Sequence, residues 1–132
     1  MVEVSLLVTA LMFGGTVLYA FGFAAFVFTA LPADTAAPLL RRAFPHFYAF
    51  VIATSAVAGG IVAIFDPPSA AILAAIALSG IYARQILMPQ INQATDDGNT
   101  PRFKKLHGIS VVITLIHIAA AAVVIIKIAS HA

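Results

Sequence analysis

The chain has 132 residues, of which 62% are hydrophobic and 9% charged, with a mean hydropathy of +1.06. That composition excludes an ordinary water-soluble domain, which has no means of hiding so much apolar surface. The lack of cysteine excludes disulfides, iron–sulfur clusters and thiol chemistry, and a formal net charge of +2 is too small to point to a nucleic-acid partner.

A single helix of about 20 apolar residues crosses the bilayer core. The sequence has room for four such helices and little else, so one transmembrane domain over residues 1–132 is expected, an all-α four-helix bundle running up-down-up-down. The first helix is predicted over about residues 4–31, ending at Pro32. Met1-Val2-Glu3 carries no positive charge and the apolar run exceeds a signal-peptide core, so this helix is expected to be retained. Its length favours tilt. Ser5, Thr9, Met12, Thr16 and Tyr19 share one face, continued by Phe23 and Phe26. In the stretch 33–42, Asp34 is expected to cap a brief interfacial helix carrying Leu39, Leu40, Arg41 and Arg42.

The second helix is predicted over about 44–65 and the third over about 69–88, separated by a tight turn at Asp66-Pro67-Pro68. Pro89 is expected to end or kink the third helix, and Asp97-Gly98 marks a turn in the polar stretch 90–100. Thr100 is predicted to cap the fourth helix, with Pro101 at its first position and an end near 129. Small residues that let helices approach are Ala10 and Gly14 on the first, Gly59 and Gly60 on the second, and Ala70, Ala71, Ala74 and Ala75 on the third.

Six of the seven Lys and Arg residues flank the first and third connections: Arg41 and Arg42, then Arg84, Arg102, Lys104 and Lys105. The positive-inside rule therefore predicts a multi-pass protein of the inner (cytoplasmic) membrane with both termini on the outer side.

Polar residues within the helices are the candidate site. His107, Ser110, Thr114 and His117 are spaced three, four and three, which places them on one helical face. Such a stripe belongs in the bundle interior, since polar groups facing lipid are costly. At a rise of ~1.5 Å per residue, His117 stands roughly 15 Å deeper than His107. Counting from the cytoplasmic ends, Tyr19, Ser55 and Ser79 come near the same level. A midplane ligand-binding cluster of Tyr19, Ser55, Ser79, Thr114 and His117 is therefore expected, with a plain packing role for the same residues as the competing reading. His46 and His107 form a second set, at similar depth near the cytoplasmic ends of their helices. If their helices are neighbours, the pair has the character of axial ligands for haem b, with His117 as an alternative, or of ligands to a transition metal. Phe44, Phe47, Tyr48 and Phe50, with Phe26 and Phe28, read as an interfacial aromatic belt or a flat wall for a planar ligand. Arg84 is expected to snorkel to the interface or to pair with Asp96 or Asp97.

The segments Phe44-Pro45-His46-Phe47-Tyr48, Met88-Pro89-Gln90-Ile91-Asn92 and Phe103-Lys104-Lys105-Leu106-His107-Gly108-Ile109-Ser110 follow one another in an order that resembles a bacterial four-helix membrane family of unknown function related to eukaryotic transmembrane protein 205. The resemblance covers nearly the whole chain and implies its fold and topology. Two positions depart from the family pattern: Thr95-Asp96 stands where an Arg-Asp pair is common, and Thr114 where Asn is common. The eukaryotic relatives are associated with drug resistance and vesicle trafficking, and a distant similarity to copper-resistance and haem-pathway membrane proteins implies the haem or metal reading.

No nucleophile–base pair, phosphate loop or metalloprotease motif is present, so no catalytic residue is assigned. The expectation is a non-enzymatic membrane bundle that binds or moves a small molecule or serves as an accessory subunit. Its expected partners are the lipid bilayer and either further copies of the chain or a larger membrane complex. The alternatives are the haem or metal protein built on His46 and His107, and a proton-coupled transporter centred on His117.

Overall fold

The computed structural model describes residues 1–132 and contains four long helices and no strand. They are α1 (Val2–Ala30), α2 (Ala33–Val62), α3 (Pro67–Asp96) and α4 (Thr100–Ala129), each long and apolar enough to cross a membrane. A 30-residue helix extends about 45 Å at ~1.5 Å per residue, well beyond a hydrocarbon core of about 30 Å. The helices must therefore tilt or project from the bilayer. Leu7, Leu18, Ile64, Leu78, Ile116 and Ile126 all stand exposed on the outside. A soluble monomer avoids apolar surface on that scale, whereas lipid solvates it. The chain is a multi-pass membrane protein.

The helix boundaries differ from the sequence expectation at two prolines. The second helix starts at Ala33, not near residue 44, and runs unbroken through Pro38 and Pro45. What the sequence suggested as a separate interfacial helix is its first three turns. Asp34 does not cap it. Pro32 occupies the N-cap without a side-chain bond, and Asp34 sits in the first turn, where a carboxylate favours the helix dipole. Pro45 has no N–H for the carbonyl one turn back. Donors from neighbouring helices reinforce that stretch: Tyr19 Oη donates to the Ala43 carbonyl at 2.8 Å and Arg84 Nε to the Pro45 carbonyl at 3.1 Å. Arg84 thus takes neither snorkelling nor loop pairing as its main role. Asp96 pairs instead with Arg41, through bonds of 2.7 and 3.0 Å that join α2 to the end of α3.

Likewise α3 does not stop at Pro89 but continues to Asp96. A π-helical turn, Ala83–Leu87, lies just ahead of the proline. Its wider spiral includes the Gln85 carbonyl that the ring would meet in a regular helix. The helix closes with a reversal in which Asn99 N–H reaches the Ala94 carbonyl at 2.9 Å and Gly98 N–H the Thr95 carbonyl at 3.1 Å. Gly98 supplies the required left-handed backbone at φ +66°. Asn99 then caps α4, accepting from Arg102 N–H at 3.2 Å, so the cap lies one residue before Thr100.

A second π-helical turn, Leu18–Phe23, interrupts α1. Ser5, Thr9, Met12 and Thr16 are buried before it as the sequence face requires. After it the face has moved by one position: Phe26 is 65% exposed and Val27 is 2% exposed in its stead. A π turn inserts one residue into the spiral, so every later side chain is rotated relative to the regular pattern.

In the packing, α2 and α4 each contact both α1 and α3, so α2 and α4 stand on a diagonal. The core combines Met12 with Val51 and Val62 of α2, Leu73 and Leu87 of α3, and Val124 of α4. Close approach depends on glycines other than the expected set, Gly59 apart. A Cβ on Gly15 would lie 2.6 Å from Phe50 Cζ, and one on Gly80 3.0 Å from Ile52 Cγ1; on Gly59 it would lie 3.3 Å from Leu73 Cβ. Gly14 and Gly60 face open space, while Ala10, Ala71, Ala74 and Ala75 point outward.

Candidate functional site

Helices α1 and α4 pack together along Val2–Val17, but beyond the π turn the rest of α1 leaves α4 and leans on α2. A small satellite core of Val27, Ala36 and Leu40 holds it there. The departure opens a cavity of about 740 Å³ at the Arg41–Asp96 end of the bundle, lined by all four helices. A volume of that order is typical of small-molecule sites, about 300–1,000 Å³. Phe21 and Phe28 of α1, Phe44 of α2, Met88 of α3 and Phe103 of α4 make its walls. Its polar groups are Arg41, Tyr48, Asn92, Thr95 and Thr100, joined by the α4 stripe His107, Ser110 and Thr114.

Three of the four stripe residues therefore face one space. The His107 ring stacks on Phe103 with centroids 5.5 Å apart and is otherwise exposed. Ser110 Oγ donates to the His107 carbonyl at 2.7 Å and Thr114 Oγ1 to the Ser110 carbonyl at 3.0 Å. These bonds leave their oxygens free to accept.

His117 lies deeper and belongs to the α3–α4 contact. It is 6% exposed, and its Nε2 stands 2.7 Å from Ser79 Oγ. Ser79 Oγ also lies 2.7 Å from the Ala75 carbonyl of its own helix, which takes its proton. The serine oxygen then accepts from His117, which assigns the imidazole proton to Nε2 and leaves Nδ1 as an acceptor. Of the five residues expected at one level, these two are in direct contact. Ser55 is fully buried and bonds the Val51 and Ile52 carbonyls of α2. Tyr19 sits among Phe23, Phe44 and Phe47, with its hydroxyl on the Ala43 carbonyl.

The structure does not bring His46 and His107 together. Their helices stand on the diagonal, and His46 lines a different, shallower groove between α1 and α2 with Gly15, Gly22 and Phe50. The aromatic group of Tyr19, Phe44 and Phe47 stands between the two spaces, Phe44 facing the cavity and the other two the groove. The residues present thus do not fit a haem held by both histidines. Nor does any group of three His, Asp or Glu side chains come close enough to hold a metal ion.

A polar cluster not foreseen in the sequence occupies the opposite end. Asp66, 6% exposed, caps α3 by accepting from Ser69 N–H at 3.2 Å and Ser69 Oγ at 2.6 Å. Lys127 Nζ stands 3.9 Å and His131 Nε2 3.5 Å from the same carboxylate. The Ser69 hydroxyl bond, helped by its N–H and these two cationic groups, holds the Asp66 carboxyl below the ordinary aspartate range. An Asp four residues after a helical stretch and just before Pro-Pro-Ser is a cap signal that could have revealed the Ser69 bonds. The partners from α4 needed the tertiary structure. So did the place of Arg41 in the cavity, since in the sequence it stands out only as an orientation charge.

No curated protein and no solved structure is detectably similar to the chain. Its match is to a family across residues 7–100, which takes in α1 beyond its first turn, all of α2 and α3 and the turn into α4. By that match, over more than half its length, the chain belongs to the family described as a domain of unknown function, DUF4149.

Proposed function

We propose that the protein is a non-enzymatic membrane bundle that takes an amphiphilic small molecule into the cavity at the Arg41–Asp96 end, to hold it or to pass it on. The observation that carries this reading is the separation of α1 from α4 beyond the π turn. It leaves an apolar-walled space of about 740 Å³ with a small set of polar groups in its lining. An aromatic and aliphatic lining suits a hydrophobic body, and a few placed polar groups suit a head. The topology proposed with it is up-down-up-down in the inner membrane. Short connections at 31–32, 63–66 and 97–99 support it, and the cations near the first and third of these favour that end in the cytoplasm and both termini outside. The relation to transmembrane protein 205 belongs to the same proposal, supported by the aromatic, Met-Pro and His-x-x-Ser segments.

The chain has no tryptophan, so Val111→Trp at the cavity wall gives a fluorescent reporter without background. Titrating a neutral brominated amphiphile into the detergent-solubilised protein should quench it saturably. Ile126→Trp on the exposed face of α4 should show only linear quenching. Linear quenching at both positions would overturn the reading.

A further inference from the structure

We propose, resting on the cavity reading above, that the cavity receives an anionic phospholipid from the surrounding bilayer, whose phosphate takes Arg41 over from Asp96. Among the residues lining the cavity, Arg41 is the one charged at neutral pH, and no Asp or Glu lines it. Its present partner lies outside the lining, held by the paired bonds of 2.7 and 3.0 Å. Both side chains are half in solvent, 44% and 52% exposed, so the pair is screened by water and its partners are open to exchange. A guanidinium presents the same fork of donors to a phosphate as to a carboxylate, so the exchange keeps the geometry and changes the partner.

The surroundings supply the rest of the site. Asn92, Thr100 and His107 bring hydrogen-bonding groups to the same space. Arg102, Lys104 and Lys105 stand on the first turns of α4 nearby, where they draw anionic lipid to this end of the bundle. The phenylalanines and Met88 of the walls suit acyl chains. Entry through the gap between α1 and α4 lets a lipid move in without leaving the membrane, a route that a soluble anion does not share.

The test reconstitutes the whole protein into vesicles of equal parts phosphatidylglycerol and phosphatidylcholine, extracts it in mild detergent and counts retained lipids by native mass spectrometry. Phosphatidylglycerol should be retained over phosphatidylcholine by roughly fivefold, the factor expected of one cation near a lipid headgroup. Arg41→Gln should bring that ratio close to one. Asp96→Asn, which leaves Arg41 in place and removes its competitor, should raise it. Equal retention in the wild type overturns the proposal, as does a preference that survives Arg41→Gln, which would belong to the surface cations. Displacement of the lipid by inorganic phosphate at millimolar concentration would also overturn it, by making a soluble anion the ligand. If the preference is absent while the Val111→Trp reporter still quenches saturably with a neutral amphiphile, the headgroup inference alone falls. If both fail, the cavity reading falls with it.

Discussion

Asp66 has the most partners of any carboxylate in the molecule: its own helix start at Ser69, and Lys127 and His131 of the neighbouring chain end. Its carboxyl titrates below the ordinary aspartate range in the folded protein, with the Ser69 hydroxyl bond as the largest cause. A depressed folded value means that the charged form is stabilised by folding. The contribution is therefore fully present above the unfolded aspartate value of about 4 and is lost as pH falls through the folded value. Melting of the detergent-solubilised protein, followed by circular dichroism, should show a fall in Tm below about pH 4. Asp66→Asn keeps an acceptor for the cap and removes the charge. That variant should melt lower at neutral pH and lose most of the acid limb. An acid limb of undiminished size in the variant would assign it to other carboxylates.

At the scale of the helices, what sequence reasoning reached and what it missed divide at the prolines and the π turns. Apolar run length located all four helices, because hydropathy over some twenty residues is a collective property that no single side chain overrides. Pro89 reads as an end or kink, since proline is a strong local stop in water, and the second helix is expected to begin only near residue 44, beside Pro45. In a membrane bundle, neighbouring helices and local π adjustments re-satisfy the disturbed backbone, and both helices continue. The carbonyl that Pro45 leaves without its helical donor is that of Arg41; Arg84 braces the same stretch from the neighbouring helix, with its Nε on the Pro45 carbonyl. Removing it by Arg84→Ala should cost about 1–2 kcal/mol, the net value of a hydrogen bond from a charged donor at a half-exposed position. Arg84→Lys should recover part of this, because an ammonium can still reach a carbonyl. Denaturant titration in mixed micelles reads both, and an alanine variant as stable as the wild type would show that the Arg84 bond to the Pro45 carbonyl does not brace this stretch. The π turn at Leu18–Phe23 had no comparable signal, since Leu-Tyr-Ala-Phe-Gly-Phe reads as ordinary helix. That is why Ser5 through Thr16 fell on the expected face while Phe26 did not. It is also why the cavity, which depends on α1 leaving α4 there, could not be foreseen from periodicity.

For the molecule as a whole, Thr114, His117 and Ser79 were readable as interior groups, because hydroxyls and imidazoles at helical spacing cannot profitably face lipid, whereas His107, near the end of the helix, is exposed. Which of them meet was not readable, because that depends on the cyclic order of the helices, and the diagonal placement of α2 and α4 separates His46 from His107. The same arrangement gathers unlike groups at the two ends: Arg41, Asp96 and the α4 cations at one, Asp66, Lys127 and His131 at the other. A positive-inside bias acting on these ends favours the Arg41 end in the cytoplasm. The lack of native cysteine makes this testable without a background. Single variants Asp97→Cys, in the turn between α3 and α4, and Ser130→Cys, after α4, are both at exposed positions. In intact cells a membrane-impermeant maleimide should label Ser130→Cys and spare Asp97→Cys until the membrane is opened. The reverse pattern would invert the topology, turn the cavity toward the outer leaflet and move the source of its ligand with it. Labelling of both in intact cells would mean that the two ends of α4 lie on the same side, which a membrane-crossing helix does not allow.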